Sequence, residues 1–226
     1  MQRRQFTAGW ILVPGIGFRE PALAAALSET DAASGVRMAL ERGAGSAVSL
    51  LGRNDGFLAN PKVRIELPGF LKDAAKLLRA TGQGARIDEL VVAMNRAAEA
   101  AVPEAKAMLV SAARAMSVED AVRIVRGSET SVTEFFSRKT RAPLEVKFLP
   151  IVERATARVS LARKYDAVAG KAAGLGLMRK EDANLNRYVA AEALDGLYQM
   201  IGEEEKRIRR DPAGTGSAIL RKVFGV

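Results

Sequence analysis

The sequence predicts an all-α fold: a single multi-helix domain carrying one short extended segment near residues 52–69. Three observations carry that reading. Aromatic residues make up only 5% of the chain while alanine is abundant, and sheets draw on aromatic and β-branched side chains. A hydroxyl residue is followed three places on by a carboxylate at Ser28 to Asp31, Ser117 to Asp120 and Ser131 to Glu134, a pattern that opens helices. Apolar residues also return at helical spacing, most plainly Ile87, Leu90, Val91, Met94, Ala97, Ala98 and Ala101.

Taken in order, the first helix is expected from Glu29 to Leu51. Gly52 to Gly69 is dense in turn residues, and within it Val63, Ile65 and Leu67 alternate with Lys62, Arg64 and Glu66. That period of two marks an extended stretch laid on the helices. A helix from Pro68 to Thr81 stops at Gly82 and Gly84, and the stripe from Ile87 to Ala101 forms the next. Pro103 is expected to begin a further helix at its first position, running to Met116. Val118 to Arg126 makes a short helix ended by Gly127. Val132 to Ala173 reads as helical with breaks near Pro143 and Val159. A long helix places Leu194, Leu197, Tyr198, Ile201 and Ile208 on one stripe and ends before Pro212; a terminal one carries Ile219, Leu220, Val223 and Phe224.

The N-terminus reads as an address. Arg3 and Arg4 precede an apolar stretch from Ala8 to Phe18, and the small-x-small triplet Ala22-Leu23-Ala24 follows. This is the layout of a cleavable export signal over residues 1–24, with residues 25–226 as the mature helical domain. Arg3-Arg4-Gln5-Phe6 resembles a twin-arginine signal, from which Gln2 and Thr7 depart. The apolar stretch is too short to span a bilayer, and no other run is long enough. The expected location is therefore the periplasm.

Composition removes whole classes of chemistry. There is no cysteine and no histidine. Thiolate nucleophiles, Ser–His and Cys–His triads and imidazole metal ligands are thus excluded. No metal site and no cofactor are expected. Gly170-Lys171 is not a P-loop, because Tyr165 stands where glycine is needed and Ala172 where serine or threonine is needed. The chain carries 35 basic and 26 acidic residues, a net +9, which favours anionic partners such as a lipid-like or other anionic envelope component. In an exported chain nucleic acid is not the expected partner.

Three sets of words point to a family. They are Asp55-Gly56-Phe57-Leu58-Ala59-Asn60-Pro61-Lys62-Val63-Arg64-Ile65, Met94-Asn95-Arg96-Ala97-Ala98-Glu99 with Pro103 beyond, and Ala193-Leu194-Asp195-Gly196-Leu197-Tyr198 leading to Glu203-Glu204-Glu205-Lys206. With the closing Leu220-Arg221-Lys222-Val223-Phe224-Gly225, they resemble the bacterial domain of unknown function 4197 family over essentially the whole mature chain. Glu66 departs from the proline expected there. The resemblance implies a helical protein, commonly made with an N-terminal signal, and implies no activity.

The candidate ligand-binding residues are Asn60, Arg64, Asn95, Arg96, Glu99 and Asp195; none is assigned a catalytic role. Asn60 and Arg64 could clamp a carboxylate or phosphate, or cap the turn before Pro61 and pair with a nearby acid. Asn95 and Glu99, one helical turn apart beside Arg96, could line a cleft or form a buried network that sets helix register. For both pairs the structural account takes precedence, since loops and core edges need such residues anyway. The run from Glu203 to Arg210 reads as a solvated face with Glu203–Arg207 and Glu205–Arg209 pairs. Phe135 and Phe136, before Arg138, Lys139 and Arg141, read as core anchors. The leading functional reading is a non-catalytic periplasmic binding or accessory protein for an anionic or amphiphilic ligand, with Arg64 and Arg96 as contacts. The alternatives are an interaction protein with an apolar surface patch and an enzyme using Glu99 or Asp195 as acid or base.

Overall fold

The computed structural model describes residues 28–125, 127–174 and 184–225; the expected export signal lies outside them. Among the described residues there are eight helices and no strand. They are α1 (Glu29–Leu51), α2 (Gly69–Ala80), α3 (Gly84–Arg114), α4 (Val118–Val125), α5 (Ser131–Arg158), α6 (Leu161–Gly174), α7 (Leu185–Arg210) and α8 (Ala218–Phe224).

The helix starts follow local chemistry. Ser28 Oγ accepts from the Asp31 amide at 3.0 Å and opens α1. Ser117 Oγ does the same for Asp120 at 3.2 Å, and Ser217 caps α8. At α5 the expected cap shifts by one residue. Thr130 occupies the cap position, while Ser131 is already helical and donates its hydroxyl to the Ile124 carbonyl at 2.8 Å.

The four long helices pack in a ring, α1 against α7, α7 against α5, α5 against α3 and α3 against α1, with α3 and α7 also meeting across the middle. Helices α4 and α8 flank α1; α2 and α6 flank α3. Glycines on α1 bring its neighbours close. A Cβ at Gly35 would fall 2.5 Å from Val223 Cγ2 of α8, and one at Gly43 would meet Ile201 of α7 at 3.0 Å. An aromatic-poor, alanine-rich chain reaches core density in this way, by close approach of backbones rather than by filling space with rings. Among the large side chains, Phe57, Phe136 and Phe148 are fully buried. Phe135 packs at the core margin with the Lys139 ammonium 5.4 Å from its ring centre.

Prolines mark the main departure from expectation. Pro103 does not begin a helix; α3 runs unbroken from Gly84 to Arg114 through it. Likewise Pro143 does not break α5, which continues through Pro143 and Pro150 to Arg158. All three prolines face solvent, so water can serve the carbonyls they leave without an amide partner. The apolar stripe of α3 continues past Pro103 through Ala105, Leu109 and Ala113, all buried. Burying one continuous face outweighs the roughly 3 kcal/mol that an interior proline costs. The expected break at Val159 is present. Ser160 adopts φ 55°, and the chain turns there from α5 into α6.

Residues 52–68 form turns and extended backbone and no strand. The period of two holds: Val63, Ile65 and Leu67 are buried, and Lys62, Arg64 and Glu66 are exposed.

Candidate functional site

An irregular segment with buried side chains takes its own amides out of water, and those amides need partners. In α3 the residues at 95 and 99 supply them. Asn95, fully buried, accepts from the Ile65 amide at 2.9 Å, and its Nδ2 donates to the Ile65 carbonyl and the Val91 carbonyl at 2.8 Å each. It pairs with Ile65 as a neighbouring strand would. Glu99 Oε1 accepts from the Phe57 and Leu58 amides at 3.0 and 3.1 Å. Its Oε2 accepts from Arg96 at 2.6 Å, and Arg96 reaches on to Asp55 at 2.8 Å. These two carboxylates, Glu99 foremost, hold the Arg96 guanidinium above its ordinary pKa against the opposing effect of burial. Asp55 has φ 65°, a left-handed conformation that aspartate tolerates.

The loop residues are engaged in the same way. Asn60 Oδ1 accepts from the Lys62 amide at 3.2 Å, closing the turn around Pro61. Arg64 pairs with Glu66 at 2.9 Å and donates to the Leu58 carbonyl at 3.1 Å. The structure thus gathers Asn60, Arg64, Asn95, Arg96 and Glu99 at one junction of loop and helix, where the chain's own groups occupy their polar atoms. Asp195 is apart from them, on the exposed side of α7, ion-paired with Arg141 of α5.

The other edge of the loop is fastened to α7. A Cβ at Gly196 would lie 2.8 Å from the Phe57 ring, so only glycine admits that side chain. Lys62 pairs with Glu203 at 2.7 Å. The Tyr188 hydroxyl donates to the Glu66 carbonyl at 2.9 Å, and burial, aided by Glu192 and Glu66, pushes its pKa up to about 12. Burial followed by the charge of Asp195 also raises the Glu192 carboxyl.

One buried acid was not expected. Glu205 is only 3% exposed, although it sits in the run read as a solvated face. It accepts from the Val132 and Thr133 amides at 3.1 and 2.8 Å and from the Thr133 hydroxyl at 2.7 Å, capping α5 from α7. Arg209 pairs with it at 2.9 Å, donates to the Val125 carbonyl at 3.0 Å and lies 4.8 Å from the Phe224 ring centre. Glu203 turns to Lys62 and Lys206 rather than to Arg207, which pairs with Glu204. An i,i+4 acid–base pair looks the same in sequence whether it faces water or a neighbouring helix start.

A concave feature rich in positive charge lies elsewhere. A cavity of about 580 Å³ opens where the start of α3, the end of α5 and the start of α6 meet, lined by Arg86, Glu89, Arg158, Val159, Ser160, Arg163, Lys164 and Ala167. Four cationic side chains surround it with one carboxylate. Lys164 pairs with Glu89 at 3.2 Å. Arg163 donates to Ser160 Oγ at 2.7 Å. Among the described residues, Arg86, Arg158 and Arg163 have no carboxylate partner. Sequence reasoning missed these residues, because isolated arginines on exposed helix faces carry no motif. A second cavity of about 460 Å³ adjoins it along α3, lined by Ala85, Asp88, Glu89, Val92, Ala93, Arg96, Val159 and Lys164. Neither Glu99 nor Asp195 lines either cavity. No group of three or more metal-ligating side chains comes together among the described residues, and no described helix is long and apolar enough to cross a membrane.

Fold and surface together define an all-helical protein with a basic interhelical cleft and an irregular loop sewn across two of its helices. The chain belongs to the family described as protein of unknown function DUF4197, whose model matches residues 26–225. No curated protein and no solved structure matches it.

Two outcomes follow for the fastened loop. Asn95→Leu and Glu99→Ala should each destabilise the protein by about 3 kcal/mol, because each strands buried amides of the loop. Arg64→Ala should stay within about 0.5 kcal/mol. Urea unfolding midpoints check this, and an unchanged midpoint for Glu99→Ala would remove Glu99 from the fastening. Tyr188 adds a pH dependence. Its folded-state pKa of about 12 lies above the ordinary 10.0, so its contribution is complete below pH 10 and is lost as pH rises through 12. The stability gap between wild type and Tyr188→Phe should therefore close between pH 10 and 12; a gap constant across that window would contradict the assignment.

Proposed function

We propose that this is a non-catalytic accessory protein of the cell envelope that holds an anionic group in the cleft between α3, α5 and α6. One observation carries the reading: Arg86, Arg158 and Arg163 converge on a cavity without carboxylate partners, while Lys164 supplies a fourth charge. Like charges gathered around a concavity repel one another, and an anion relieves that repulsion. Other arginines among the described residues, Arg42, Arg53, Arg138 and Arg187 among them, also lack a carboxylate partner; what marks this cleft is that three such arginines line one concavity. Arginine suits the role, because its planar fork grips phosphate or carboxylate oxygens in pairs.

This reading keeps the anionic ligand expected from the net charge and moves its contacts away from Arg64. Export is supported by the order of charged, apolar and small-residue regions over residues 1–24. A catalytic role for Glu99 draws no support from a carboxylate spent on two amides and an arginine. The interaction-protein alternative rests on exposed apolar residues; Phe70 and Leu77 share one face of α2, while Met38, Val92 and Val146 lie singly on three other helices.

Calorimetric titration with inorganic phosphate should show binding that weakens with salt. The triple change R86A/R158A/R163A should weaken it by about tenfold or more, and Arg64→Ala should leave it unchanged. Equal affinity in the triple variant would refute the assignment. For the address, intact mass measured on protein from the host's periplasmic fraction should correspond to a chain starting at Ala25. A full-length chain found only in the cytoplasm would overturn export.

A further inference from the structure

We propose that the anion held in this cleft is the headgroup of a single-chain amphiphile, whose alkyl chain lies in the adjoining cavity along α3. The proposal rests on the anion-binding reading above and extends it to the class of ligand. Its basis is the adjacency of two unlike cavities. The basic one and its neighbour share Glu89, Val159 and Lys164, so they abut at side chains, with the Glu89–Lys164 pair at the boundary.

The second cavity has the form of a channel. Its α3 positions, 85, 88, 89, 92, 93 and 96, alternate steps of three and one, which places them in a single stripe along the helix. At 1.5 Å per residue the stripe runs for about 16 Å, of which the part leading away from the join at Glu89 to Arg96 is about 10 Å. The floor is apolar, formed by Ala85, Val92 and Ala93 with Val159 opposite. Val92 is 39% exposed, among the few large apolar side chains left open to water. A cavity of about 460 Å³ is large enough to take an alkyl chain of the length tested below.

Charge sets the direction. At the basic end stand Arg86, Arg158 and Arg163. Along the channel, Asp88 and Glu89 are each already paired, with Arg79 at 2.5 Å and Lys164 at 3.2 Å. Arg96 at the far end is held by Glu99 and Asp55. The arginines without carboxylate partners are thus at one end, and the apolar floor leads away from them. An anionic head with a single tail matches this order; a bare anion leaves the channel empty, and a neutral chain leaves the arginines without a counter-charge. Lys164 stands at the join. Its pair with the 63%-exposed Glu89 is weak enough to yield when a headgroup competes for the ammonium.

The test titrates the full chain with inorganic phosphate, with dodecyl phosphate below its micellar concentration, and with neutral dodecyl maltoside. Dodecyl phosphate should bind at least about tenfold more tightly than phosphate, since each methylene removed from water favours binding by up to about fourfold. The maltoside should not bind at the same concentrations. Val92→Gln, neutral and placed at an exposed position, should abolish most of the chain's advantage and leave phosphate affinity unchanged. R86A/R158A/R163A should weaken both anions. Equal affinity for dodecyl phosphate and phosphate would overturn the amphiphile while leaving the anion site standing. An undiminished chain advantage in Val92→Gln would overturn the placement of the chain. Binding of both dodecyl compounds regardless of the arginines would be adsorption and would sink this proposal; phosphate affinity unchanged in R86A/R158A/R163A would sink the anion reading as well.

Discussion

The structure depends on how seventeen or so residues of irregular backbone are kept hydrogen-bonded out of water. The segment between α1 and α2 buries Phe57, Val63, Ile65 and Leu67, and no strand lies beside it to receive its amides. A buried amide without a partner costs as much as the burial of a modest side chain contributes. Asn95 and Glu99 resolve this from one face of α3, answering the backbone at Ile65, Phe57 and Leu58. On the other side Gly196 admits the Phe57 ring and Tyr188 holds the Glu66 carbonyl. The loop therefore bridges α3 and α7, and its fastening sets how those two helices stand toward each other.

The same device recurs at Glu205, a buried acid that caps α5 from α7 and keeps an arginine at its back. Glu205 lies in a charged run and Glu99 among alanines, yet both act on backbone belonging to another element. In a chain with few aromatic residues, such carboxylate-to-amide contacts supply directional specificity that close-packed alanines and glycines lack. Their use also divides α3 in two. From Asn95 to Glu99 its polar groups are engaged by the loop. From Ala85 to Ala93 it borders the two neighbouring cavities, where Arg86 has no such duty; Arg96 does both, lining the second cavity while paired with Asp55 and Glu99. The half of the helix that is structurally unburdened is where a ligand can be received.

Much of the helical layout was legible because it depends on short-range physics. Ser28 caps α1 within its own turn, Gly82 at φ 76° ends the turn after α2, and the stripe from Ile87 to Ala101 is buried as a stripe. The alternation of Val63, Ile65 and Leu67 likewise follows from backbone geometry alone. The prolines misled because proline is a local signal whose cost is moderate and whose placement on the solvent face of a long, well-packed helix removes most of it. The bounds of α3 and α5 were set by the faces those helices bury, not by their own turns.

The candidate site was less legible still, for a reason of the same kind. Asn95, Arg96 and Glu99 were visible as a cluster, and their spacing alone placed them at a core edge; which groups they answer became known only when the loop lay across them. Arg86, Arg158, Arg163 and Lys164 come from three elements and, one at a time, are indistinguishable from charges that merely face water. What this sequence determined by itself was its helical class, the hydroxyl-capped starts of α1 and α4, the period-two stretch, its positive charge and the chemistries that a chain without cysteine or histidine cannot perform. Those properties are fixed by composition and by neighbours within one or two turns. Tertiary structure alone decided which acids are buried, which prolines are tolerated and where unpaired arginines converge, because each depends on side chains far apart in sequence meeting at distances of a few ångströms.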